Sequence, residues 1–244
     1  MMKRTAFPLF LSFVCLWSMA CSKPASESVS LFDGETLQGW VVKCKPKDQD
    51  KDYWRVEDGA ITARVPEGSK HDYIWLMTEE EYDDFELNLK VQTVSEGKGN
   101  SGIQVRSRYD EEKYWLDGPQ IDIHPPAPWR SGFLYDETRE LKQWLSPLQG
   151  PPSKAKPHHA PEGWKWFHAD EEDVWNEVQI ICRGTQIKTV INGVPVVDYD
   201  GAGRLDDEIH MARDVGMNGH IFLQIHRGGH MLVRFKDISL QPLD

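Results

Sequence analysis

From Thr36 onward the chain alternates apolar and polar side chains in short runs separated by turn residues. TLQGWVV, YWRVEDGAITARV, DYIWLMT, FELNLKVQTV, SGIQVRSRY and PQIDIH carry apolar residues at about every second position, the period of a β-strand. WNEVQIICRG, TQIKTVING, VPVVDYD, GHIFLQIHRGG and MLVRFKDISLQPL continue the pattern to the end. Asn192-Gly193 between two β-branched runs signals a type I′ hairpin, and Glu57-Asp58-Gly59 reads as another tight turn. Helical periodicity is nearly absent, with one short helix predicted near residues 137–145. Residues 146–173, rich in Pro, Lys, His and acids, predict a long surface excursion, either a lid or an insertion. Many short strands and few helices predict an all-β, two-sheet antiparallel β-sandwich. Trp40, Trp54 and Trp175 lie within strands and are expected in its core.

The N-terminus has a different character. Lys3 and Arg4 precede an uncharged, mostly apolar stretch from Thr5 to Ala20, which predicts a secretory signal over residues 1–20. Ser18-Met19-Ala20-Cys21 resembles a bacterial lipobox with Cys21 lipidated as the mature N-terminus; plain secretion is the alternative. Residues 21–30 then form a polar tether and 31–244 a single domain. The expected location is periplasmic or cell-surface, across the bacterial inner membrane, with the membrane met only through the lipid. The formal charge of −11 becomes −13 when residues 1–20 leave, because they hold Lys3, Arg4 and no acid. So acidic a surface argues against nucleic acid or anionic membrane as partner and does not penalise neutral sugars. Cys44 and Cys182 remain, as a disulfide or as two buried thiols.

Three strands change the picture. In GPQIDIH, Gln120, Asp122 and His124 share one face while Ile121 and Ile123 share the other. In NSGIQVRSR, Gln104, Arg106 and Arg108 alternate with Ile103, Val105 and Ser107; in GHIFLQIHRGG, Gln224 and His226 face away from Ile221, Leu223 and Ile225. Side by side in one sheet, these strands present amides, a carboxylate, a guanidinium and imidazoles, the groups that hydrogen-bond a polyhydroxylated ligand. Trp115, Trp129 and Trp144 supply indoles that stack on sugar rings. The plain alternative is the solvated face of an antiparallel sheet, with Arg106 and Asp122 as a cross-strand ion pair and His124 as a strand-end residue before Pro125-Pro126. Gln, Arg, Asp and His in place of Lys, Glu and Thr favour a site. Asp136 is a candidate cap for the short helix, and His158 and His159 read as solvated.

LFDGETLQGW, WRVEDGAI, NSGIQVR, GPQIDI, GFLYDE, WNEVQI, ING, GHIFLQIH and VRFKDISLQPL, in that order, resemble the signatures of the 3-keto-disaccharide hydrolase domain family over Leu31 to Asp244. The resemblance implies a concanavalin A-like jelly roll with a concave sugar-facing sheet. Many members carry Glu-x-Gln where this chain has Gln120 and Asp122, so the role of that Glu would pass to Asp122 or Glu137. It also implies cleavage of 3-keto-glycosides: a base removes the acidified C2 proton, the C1 oxygen leaves, and water adds. Asp122 is the expected base or metal ligand, His226 its acid/base partner and Arg106 the oxyanion stabiliser. Gln104, Gln120 and Gln224 would orient hydroxyls, while Glu137 and Tyr135 are second candidates for acid and base. A divalent metal between Asp122, His124 and a water is conceivable, and His124 and Trp129 count as ligand contacts. Such chemistry would need the ketone to be made first, which brings in an oxidoreductase as a candidate functional partner. Two rivals are a non-catalytic carbohydrate-binding lipoprotein and a laminin-G-type adhesion domain with a rim calcium.

Overall fold

A computed structural model describes residues 27–95, 99–125, 127–146, 160–169 and 174–243. The signal peptide, Cys21, most of the tether, His158 and His159 lie outside them. In chain order the strands begin with β1 (Val29–Ser30), β2 (Trp40–Cys44), β3 (Trp54–Glu57), β4 (Ala60–Val65), β5 (Ile74–Thr78) and β6 (Phe85–Thr93). The middle of the chain gives β7 (Ser101–Asp110), β8 (Trp115–Asp117), β9 (Pro119–Ile123), β10 (Leu134–Asp136) and β11 (Gln143–Ser146). The last third gives β12 (Asn176–Arg183), β13 (Gln186–Ile191), β14 (Val194–Asp200), β15 (His220–Ile225) and β16 (Met231–Pro242).

These strands form two antiparallel sheets. One runs β14-β13-β12-β6-β16-β4-β3 with β1 beside β16; the other runs β11-β10-β9-β7-β15-β5-β2 with β8 beside β7. Alternation explains the packing. In β6, Phe85, Leu87, Leu89 and Val91 are buried while Glu86, Asn88 and Lys90 are not. Ile103, Val105, Ile121, Ile123, Leu223 and Ile225 of the second sheet close on the same core, together with Trp40 and Trp54. Each buried aliphatic side chain contributes roughly 1.5–3 kcal/mol to holding the sheets together. Asn192 and Gly193 both take positive φ (50° and 79°), as a type I′ turn requires, and Asp58 and Gly59 do the same.

Two local expectations are corrected. The segment near 137–145 is not a helix: β10 and β11 form a hairpin there, with Tyr135 opposite Trp144 and their rings edge to face at 5.0 Å. Among the described residues the one α-helix is α1 (Glu208–Met211), capped by Asp207, whose carboxylate accepts the His210 backbone N–H at 2.9 Å. Trp175 is half-buried rather than core, with Lys236 4.2 Å and Arg234 5.4 Å from its ring. Cys44 and Cys182 are free and buried, one in each sheet, and burial pushes the Cys182 thiol up to about 12.

Candidate active site

β9, β7 and β15 are neighbours in the second sheet, so their polar residues share one surface. Cross-strand pairing sets Phe222, Gln104, Gln120 and Tyr135 in one row. That surface is not washed by solvent: Gln104, Gln120, Gln224 and Asp122 are all at most 2% exposed. The β8 arm, the turn at 128–130 and the β10–β11 hairpin rise beside it and leave a cleft of about 420 Å³. Gln120 and Asp122 form its floor, and Tyr73, Asn100, Trp115 and His226 line it together with Arg130, Tyr135, Glu137 and Trp144.

Asp122 is anchored. Arg130 donates to its Oδ2 through Nε at 3.0 Å and through Nη2 at 2.9 Å, and the Gln120 amide reaches Oδ1 at 3.5 Å. Burial raises its carboxyl to about 6 in spite of Arg130. Glu137 follows the last residue of β10 and its backbone N–H donates to the Gly118 carbonyl at 3.0 Å. Burial, reinforced by Asp122 and Asp136 and opposed by Lys142, lifts Glu137 to about 7. A carboxyl poised there exchanges protons at neutral pH, which suits general acid–base work.

In the same cleft, His226 Nδ1 donates to the Arg227 carbonyl at 3.0 Å, leaving Nε2 to accept the Tyr73 hydroxyl at 3.0 Å. Burial holds His226 below the usual imidazole value, so it stays neutral. The Tyr73 hydroxyl is pushed up to about 12 by burial and by the charge of Glu137. His226 therefore holds the hydroxyl of Tyr73, a cleft residue that the sequence did not single out. Its signal was present, since Tyr73, Trp75 and Met77 alternate with Ile74 and Leu76. Arg130 and Lys142 had no such signal, because they sit on turns. Their cations lie over indoles, Arg130 5.0 Å from Trp144 and Lys142 3.6 Å from Trp115.

Several expected residues lie elsewhere. Arg106 takes φ 47° where the β7–β15 register shifts, and this bulge turns its side chain away from the cleft. Gly219 packs against the bulge; a Cβ on it would sit 2.7 Å from the Ser107 carbonyl oxygen. Fully buried, Arg106 donates to the carbonyls of Asp83, Gly184 and Gly216 and pairs with Asp84 at 2.7 Å, pinning the two sheets together. The oxyanion role and the Arg106–Asp122 pair are both corrected by this placement. Trp129 packs edge-on against Phe133 at 6.0 Å rather than lining the cleft. Gln104 and Gln224 lie under Gln120, and Tyr135 is a wall residue whose hydroxyl burial holds above its usual range.

Asp136 caps no helix: its Oδ1 accepts the Thr138 N–H at 3.0 Å, and His210 stands 3.3 Å from Oδ2. His124 Nδ1 accepts the Ala127 N–H at 3.0 Å, and burial together with Arg130 lowers it to about 4. Asp122 and His124 thus do not fit a divalent metal, since the carboxylate is held by Arg130 and Gln120 and Nδ1 is in use. Among the described residues no three His, Cys, Asp or Glu side chains gather as a metal group.

The fold is shared with known structures. A Parabacteroides distasonis protein provisionally named a glycosyl hydrolase superposes with a TM-score of 0.54 at 19% identity, covering 89% of this chain and 94% of its own. A Bacillus subtilis protein of galectin-like fold gives 0.53 at 12%, covering 84% and 90%. A structure from work on endo-acting O-glycanases of the human gut microbiota, which initiate mucin breakdown, gives 0.54 at 13%, covering 90% and 100%. No curated protein matches this chain. Residues 27–241 match the model of the 3-keto-alpha-glucoside-1,2-lyase-like domain, so the chain belongs to that carbohydrate-active family.

Proposed function

We propose that this protein cleaves 3-keto-glycosides by elimination across C1–C2, followed by addition of water. The observation that carries the reading is Glu137, a carboxyl lifted to about 7 that shares one cleft with Arg130, Gln120 and the Tyr73–His226 pair. A C3 ketone acidifies the C2 proton, and Glu137 removes it. Arg130 and Gln120 donate to the C3 oxygen as it becomes an enolate oxyanion, in a recessed site where such donors act strongly. The C1–O bond then breaks, and the departing oxygen takes the Tyr73 proton, which turns from His226 Nε2 toward the leaving oxygen as it goes. A hydroxyl lifted to about 12 is matched to an alkoxide of similar basicity.

Water closes the cycle. Its oxygen adds to C1 as one of its protons returns to Tyr73, while Glu137, having exchanged its proton with solvent in the meantime, delivers one to C2. Both groups recover their starting states. Asp122 holds Arg130 in place rather than moving a proton, since each of its oxygens is engaged. A usual glycosidase instead needs two carboxyls flanking the scissile bond.

On this reading residues 1–20 are a secretory leader, Cys21 carries a lipid that tethers the domain outside the cytoplasm, and a partner oxidoreductase supplies the ketone. Mass spectrometry of the purified domain with matched 3-keto and unoxidised glycosides tests the reading. Cleavage of the keto forms alone supports it. Binding of either set without cleavage means a carbohydrate-binding protein.

A further inference from the structure

Gln104 and Gln224 are buried to within 1% of completely, yet neither side chain lines the cleft. Both donate through Nε2 to one atom, Oε1 of Gln120, with the Gln224 contact at 2.9 Å. We infer that Gln104 and Gln224 are positioning residues that lock the Gln120 amide with its oxygen inward and its N–H groups toward Asp122 and the ligand. This tunes the floor of the cleft for an acceptor-only oxygen such as a sugar ketone. The specificity half of the inference rests on the keto-glycoside reading; the lock does not.

The polarity of the chain of amides starts at Asp122. A carboxylate paired with Arg130 only accepts, so Gln120 turns its nitrogen toward it, 3.5 Å from Oδ1. Its oxygen then faces inward, where both lone pairs are taken by the two buried amides. The same arrangement leaves Oε1 of Gln104 and Oε1 of Gln224 buried without a partner. Two orphaned acceptors are a cost that a sheet built only for stability would avoid with apolar residues. Space is reserved as well: a Cβ on Gly102 would fall 2.5 Å from the Gln120 side-chain carbon Cδ. Locked in this way, Gln120 offers the ligand a donor and no acceptor. A ketone oxygen carries no proton and fits. A hydroxyl at that point accepts from Gln120 but has to place its own proton elsewhere, since the locked amide presents it no acceptor.

Neutron diffraction on the deuterated, ligand-free domain reads the lock directly. Deuterium on the Gln120 atom facing Asp122, and on the Gln104 and Gln224 atoms facing Gln120, is expected. The reverse polarity overturns the proposal, whatever the substrate. Gln104→Met with Gln224→Met removes both inward donors and releases the Gln120 oxygen; Gln104→Leu with Gln224→Leu serves if the methionine pair unfolds. On a 3-keto-glycoside kcat is expected to fall about tenfold or more while KM moves less than about threefold, the split given by a donor that strengthens toward the transition state. A folded variant with unchanged kcat overturns the specificity role. Wild-type protein that cleaves no keto-glycoside overturns the functional reading instead, and the lock then stands or falls on the neutron map.

Discussion

Glu137 and Asp122 are both raised carboxyls in one cleft, yet their surroundings assign them different work. Asp122 is gripped by Arg130, whereas the main influences on Glu137 are burial and the charges of Lys142, Asp122 and Asp136. Glu137→Gln is therefore expected to lower kcat on a 3-keto-glycoside by about 10²–10⁴-fold, the usual contribution of a positioned base. The wild-type rate should rise with pH and level off above about 7, because the working form is the carboxylate. The same residue opposes folding. Between the ordinary 4.5 and about 7 the folded protein keeps a proton that the unfolded chain has released, so stability falls as pH rises through that window. Glu137→Gln removes this dependence, and urea unfolding at pH 8 should show it more stable than wild type, by at most about 3 kcal/mol. A variant less stable at pH 8 contradicts the raised carboxyl.

At the scale of elements, one bulge separates Arg106 from the cleft. Period-two alternation placed Gln104, Gln120, Gln224 and Asp122 on the ligand-facing side of the sheet because β7, β9 and β15 are regular there. It failed at Arg106 because a single residue at positive φ reverses every side chain beyond it, and no composition signal marks that residue. Alternation likewise missed the β10–β11 hairpin, whose three- and four-residue strands are too short to show a period. Arg130 and Lys142 were illegible for a different reason, since turn residues reach the cleft by tertiary geometry alone. Arg106→Met strips donors from three carbonyls and the partner from Asp84, and should destabilise by about 3 kcal/mol or more in urea unfolding. Catalysis by the folded fraction should be little changed, and a selective loss of kcat would return Arg106 to the site.

A second tie at this scale joins α1 to the end of β10. His210, 1% exposed, stands between Asp136 at 3.3 Å and Asp207 at 2.8 Å. Burial works against its charge, but the two carboxylates outweigh burial and hold it above the usual 6.5. The stabilisation is complete below 6.5 and is lost as pH rises through the raised value. His210→Gln should therefore be most damaging near pH 6, with a penalty that shrinks at high pH. A penalty independent of pH would mean that packing alone holds the helix.

At the largest scale the described residues form a sandwich whose core holds no disulfide between Cys44 and Cys182. The free thiols of Cys44 and Cys182 should leave the melting temperature unchanged by reductant, and both should react with a thiol reagent only on unfolding. A reductant-sensitive melting temperature would indicate a disulfide between them.

Elimination breaks the glycosidic bond only after the C2 proton has left, and solvent deuterium at C2 follows that order most directly. The domain is incubated in D₂O with a 3-keto-glycoside and its unoxidised parent, and the released sugar is read by NMR. Cleavage of the keto form alone, with deuterium at C2 and both signals lost in Glu137→Gln, is the predicted result. Cleavage that leaves the C2 proton in place, or that proceeds equally on the unoxidised glycoside, would contradict it.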